Sequence, residues 1–159
     1  MPAANVKSRW VSGNLVFYDA DGVVVGHVGK GNVPVTLRTR KTIAAVNAGV
    51  ELLPAIPGMK WRMIDAAMIA VGGAVTTVTT IDILATQATS SVKLVAGAQA
   101  SMTQSAVLHA GASGAAVLAD GASFAANDAN TAITANITGS AATVVTDIDF
   151  ILTFALDAA

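Results

Sequence analysis

The sequence predicts an all-β fold, a sandwich or barrel of antiparallel strands, and three observations predict it. From Val144 to Leu156 the even positions read Val, Thr, Ile, Phe, Leu, Phe, Leu, while the odd positions include Asp147, Asp149 and Thr153. That alternation puts Phe150 and Phe154 on one face of a strand and both aspartates on the other, whereas a helix would scatter them. Thr131 to Thr138 repeats the pattern, setting Ile133, Ala135 and Ile137 against Thr134, Asn136 and Thr138. Between 75 and 119, short β-branched and apolar runs recur with Gly and Ser between them, as strands separated by turns do.

Taken from the amino end, Asn14–Tyr18 (NLVFY) and Val23–Val28 (VVVGHV) flank Asp19-Ala20-Asp21-Gly22, an Asp/Gly turn that predicts a β-hairpin. A strand is expected around Val33 to Leu37, within the polar, basic stretch that follows. Thr42 can cap one or two helical turns that close at Gly49. Pro54 and Pro57 make 51–58 a stiff, extended joint. Lys60–Val71 and Val75–Thr86 flank Gly72-Gly73, a favoured turn pair, and are read as hairpin partners with a bulge near Asp65-Ala66. Further strands are expected at Val92–Val95, Ala106–His109 and Ala115–Ala119. Gly139-Ser140 is read as the hairpin connection to the final strand. This divides the chain into an arm and hairpin over 1–50 and a compact sandwich over 51–159.

Composition bounds what such a fold can do. The 159 residues suit one domain with a real core, and the absence of cysteine excludes disulfides and thiolate metal sites. It also points to a reducing cytoplasm, or to a particle assembled there. Only 12% of residues are charged, about half the usual quarter, and Ala, Thr, Val, Gly and Ser dominate. A free soluble monomer normally carries a more charged surface, so this one is expected to cover part of its surface with neighbours.

Neither uncharged stretch, Ala66–Ile81 or Val95–Ala119, offers about 20 predominantly apolar residues, so no membrane span is expected. The amino terminus lacks the apolar segment of an export signal. Charge is lopsided. Residues 1–62 hold Lys7, Arg9, Lys30, Arg38, Arg40, Lys41, Lys60 and Arg62 against Asp19, Asp21 and Glu51. Residues 63–159 hold Lys93 against seven aspartates. A basic segment is therefore expected to meet an acidic partner.

Chemistry is scarce. His27 and His109 lie in apolar runs without acid–base partners, and no Gly-x-Ser-x-Gly elbow occurs. Asp147 and Asp149 share a strand face as paired carboxylates in a hydrolase might, but polar residues on an outer strand face need no catalytic reason. Asp19-Ala20-Asp21-Gly22 lacks the further ligands of a calcium loop, and Gly26–Gly31 has the wrong spacing for a phosphate loop. No catalytic residue, cofactor or metal ligand is expected. The candidate partner-binding residues are Lys7, Arg9, Trp10, Arg38, Arg40 and Lys41, with Arg38 and Arg40 of one parity and able to face a single acidic partner. Protein contact is preferred to nucleic acid because the net charge is −1 and aromatic interleaving is thin.

The segments SGNLVFYDADG, NAGVELLPAIPGMKWRMIDAAMIAVGG and TVVTDIDFILTFAL resemble those of small virion structural proteins of tailed bacteriophages, the capsid cement or decoration class above all. The resemblance implies a jelly-roll-like β-sandwich and a homo-oligomer, dimer or trimer. It also implies binding to the major capsid protein on the capsid exterior, where the protein bridges capsomers, and it supplies no catalytic residues. A tail or fibre-attachment protein and a β-sandwich carbohydrate-binding module are the alternatives.

Overall fold

The computed structural model describes residues 34–159 throughout, together with the backbone of strands β1 (Lys7–Val11), β2 (Asn14–Tyr18) and β3 (Val24–Val28). These three form an antiparallel sheet in the order β1-β2-β3. The expected pairing of Asn14–Tyr18 with the valine-rich strand is present, and β1, not foreseen, adds to it. The Asp19–Gly22 turn itself lies outside the described residues.

The rest is an antiparallel β-sandwich. Its strands are β4 (Val35–Thr42), β5 (Val50–Leu53), β6 (Met59–Val71), β7 (Val75–Gln87), β8 (Ser90–Ala98), β9 (Val107–His109), β10 (Ala115–Val117), β11 (Ile133–Val144) and β12 (Asp147–Ala158). One sheet has the order β4-β12-β6-β9 and the other β10-β8-β7-β11-β5. The pairs nest: β4 with β12, β5 with β11, β6 with β9 and β7 with β8. The chain is thus wound as a long folded-back ribbon that crosses repeatedly between the sheets, with β7 and β8 as a hairpin within one of them.

The core lies between the sheets and follows from the alternation. Ile148, Phe150, Leu152 and Phe154 of β12 are buried, as are Ile81 and Ile83 of β7 and Ile133 and Ala135 of β11. Trp61 of β6 is buried edge-on to Phe154, with ring centroids 6.3 Å apart and planes at 89°. Its indole N–H, which burial would otherwise leave unpaired, donates to the Pro54 carbonyl at 2.9 Å. The bulge expected near Asp65 is present, because Thr153 pairs with Asp65 but Phe154 with Met63, leaving Ile64 as the extra residue.

Two expected hairpins are absent. β6 and β7 belong to different sheets, so Gly72-Gly73 carries the chain across the sandwich. Gly72 has φ +78°, and a Cβ there would run into the Thr146 hydroxyl at the neighbouring crossing. Gly139-Ser140 is not a turn to the final strand. It lies inside β11, where the register against β7 shifts, and β11 passes to β12 in the other sheet through Val145 and Thr146. Where β11 leaves its ladder, the Asn47 side chain takes the place of a strand. It accepts from the Ala142 N–H at 2.8 Å and donates to the Ala142 carbonyl at 3.1 Å.

The short helix α1 (Ile43–Ala48) forms as its caps predict, with the Thr42 hydroxyl accepting from the Ala45 N–H and Gly49 closing it at φ +83°. β4 and α1 are built into the sandwich although they precede residue 51, where the sequence reading began it. The expected joint over 51–58 likewise opens with β5, an edge strand of the five-stranded sheet.

Candidate interaction surface

Three of the six predicted site residues, Arg38, Arg40 and Lys41, lie on β4. It is an edge strand, hydrogen-bonded to β12 on one side, and among the described residues no strand pairs with its other side. Its register sets Arg40 opposite Asp149, Arg38 opposite Ile151 and Thr36 opposite Thr153 on the outer face. Val35 and Leu37 share the core-facing parity, opposite Phe154 and Leu152. Val35 and Leu37 are left 44% and 38% exposed.

The two arginines do face one acidic partner, and it is Asp149 of the same chain. Arg40 donates from Nε to Oδ1 at 2.7 Å and from Nη2 to Oδ2 at 2.9 Å, and Arg38 Nη2 donates to Oδ2 as well. Asp149 is 1% exposed, whereas the Arg38 and Arg40 side chains are 62% and 53% exposed. A buried carboxylate needs this, because removal from water disfavours its charge unless cations and donors replace the solvent. The Arg40 hydrogen bonds are the main reason the Asp149 carboxyl is held well below the usual carboxylate range. Burial pushes the other way, and the Arg38 hydrogen bond and both positive charges add to the lowering. Arg40 is raised in turn, first by its hydrogen bond to Asp149, then by that charge.

The other predicted residues divide. Lys41 lies on β4 but on the parity opposite Arg38 and Arg40. Lys7, Arg9 and Trp10 fall on β1, and their side chains lie outside the described residues. The structure therefore brings together Arg38 and Arg40 and adds Asp149, Val35 and Leu37, which sequence reasoning did not count as site residues. The matched i, i+2 spacing of the arginines and of Asp147/Asp149 was the available signal.

The carboxylates on the outer faces of the two sheets have partners. Of the two carboxylates on the outer face of β12, Asp149 is fully engaged and Asp147 accepts from the Thr146 hydroxyl at 2.9 Å. Asp82, on the outer face of the other sheet, is bound through Oδ2 by Lys93 at 2.9 Å and by the Thr138 hydroxyl at 2.6 Å. His109 is exposed, with Nδ1 3.8 Å from Asp65. Among the described residues no three His, Asp or Glu side chains converge as metal ligands, and no helix is long and apolar enough to cross a membrane. None of the family models, curated proteins or solved structures compared with the chain matches it.

Proposed function

We propose that this chain is a structural virion protein of a tailed bacteriophage, of the capsid cement or decoration class. It binds the capsid exterior as a homo-oligomer and stabilises the shell by bridging neighbouring capsid subunits. The reading begins with the resemblance of three sequence segments to that class. The observation that carries it is β4, a basic, partly apolar sheet edge joined directly to the N-terminal segment. The nested strand pairing agrees with the jelly-roll-like winding that the resemblance implies.

The mechanism is mechanical. The sandwich acts as a rigid block, apolar contacts at about 25 cal/mol per Å² drive association, and the arginines steer docking and set register. A carbohydrate-binding module would display aromatic platforms. Among the described residues Phe124 is the exposed aromatic ring, and Trp61 is in the core.

The test is to add the purified chain to heads assembled without it from the major capsid protein of the same phage. Saturable co-sedimentation and a higher head-rupture temperature are expected. Light scattering of the free protein should report a dimer or trimer. Heads that sediment without the protein at tens of micromolar (about the range of weak specific binding) would overturn the proposal.

A further inference from the structure

The outer edge of β4 has the makings of a strand acceptor, and its chemistry restricts what fits. The main-chain groups on that side are unpaired by any strand among the described residues, over a run of eight residues. An incoming extended segment would complete a ladder, with side chains falling alternately on the two faces. On one face it would meet the half-exposed Val35 and Leu37. On the other it would meet the exposed guanidinium groups of Arg38 and Arg40, both bound to Asp149, with the charge of Asp147 also acting on Arg40. A guanidinium has five N–H donors. Arg40 commits Nε and Nη2 to Asp149, and Arg38 commits only Nη2. The remaining exposed N–H donors suit carboxylates.

The same charges disfavour a second β4 as the occupant. Pairing two copies edge to edge would bring Arg38, Arg40 and Lys41 of both onto adjacent strands, and like charges across neighbouring strands are destabilising. We infer that the free edge of β4 binds an extended peptide segment of a partner protein in which apolar residues alternate with aspartate or glutamate. The apolar residues cover Val35 and Leu37, and the carboxylates bridge Arg38 and Arg40. This deepens the capsid-binding reading by naming the chemistry of the shell segment contacted.

The experiment alters the probe and leaves the protein intact, because replacing either arginine disturbs the buried Asp149. A capped heptapeptide alternating valine and aspartate is titrated into the full chain by calorimetry. Its analogue with lysine for aspartate, and a version N-methylated at alternate amides, serve as controls. The acidic peptide should bind at least about tenfold tighter than either control, a difference of about 1.4 kcal/mol, and should slow amide exchange in residues 35–42. Equal binding of the lysine or N-methylated peptide, no binding of the acidic one, or protection confined to other strands would each overturn the inference. If the peptide binds but capsid heads do not, the edge stands and the capsid assignment fails. The reverse result removes the edge alone.

Discussion

Neighbouring positions on β12 give a sharp test of the sandwich. Phe150 is wholly buried between the sheets, opposite Met68 on β6 and Thr39 on β4. Ile151, the next residue, faces outward beside Arg38 and Ala67 and is only half-buried. Truncating a buried phenylalanine to alanine removes its transfer energy and leaves a cavity, costing about 3–5 kcal/mol. Against a total stability of roughly 5–15 kcal/mol, Phe150→Ala takes a large share. At about 2–4 °C per kcal/mol for a chain of this length, it lowers Tm by roughly 6–20 °C. Ile151→Ala loses partial burial and some strand propensity, about 1 kcal/mol. Both variants are measured by urea unfolding followed by far-ultraviolet circular dichroism, with wild type alongside. If Ile151→Ala costs as much as Phe150→Ala, the faces of β12 are assigned wrongly and the two-sheet packing falls with them.

Four further predictions concern polar and backbone features. Asp149 has a depressed folded-state pKa, so its contribution to stability is fully present above its unfolded value near 3.8 and is lost as pH falls toward the folded value. Asp149→Asn should therefore be less stable than wild type at pH 7, and the gap measured by thermal melts should narrow progressively below about pH 4. A gap that widens on acidification would contradict the arginine clamp. Gly72→Ala forces a side chain into a left-handed conformation against Thr146 and should cost at least about 1–2 kcal/mol in urea unfolding. A neutral result would place the crossing elsewhere. The turn between β7 and β8 uses Ala88 and Thr89 at φ +48° and +64°, with both N–H groups bound by the Asp128 carboxylate at 3.2 and 2.8 Å. Asp128→Ala should then destabilise by about 1–3 kcal/mol, and Thr89→Gly should stabilise by about 0.5–1 kcal/mol.

Local patterns were legible where one face of a strand is buried. The alternation of β12, the inward Ile133 and Ala135 of β11 and the caps of α1 all follow from chemistry within a few residues. What the pattern does not carry is partnership. Gly72-Gly73 between two long apolar strands looks the same whether those strands pair or cross between sheets, since the partners that decide it are β12 for β6 and β11 for β7. Gly139 falls in a bulge of β11 for a similar reason, because the irregularity answers to β7 and not to its own neighbours. β4 read as a basic connector with only a short strand because its apolar parity is brief and ends at Lys41. Its arginines acquire their meaning from Asp149, over a hundred residues away.

The placement of β12 has a consequence for how the chain reaches this state. It is made after every other strand of the sandwich, yet it lies in the interior of its sheet, bonded to β4 on one flank and β6 on the other. Until it is synthesised and inserted, two strands remain as open templates for any extended chain nearby. Such long-range closure is slow, and exposed templates invite association between nascent chains. A ribosome that stalls before Asp147 should leave a product prone to aggregate, while one that has completed β12 presents a chain able to seal itself.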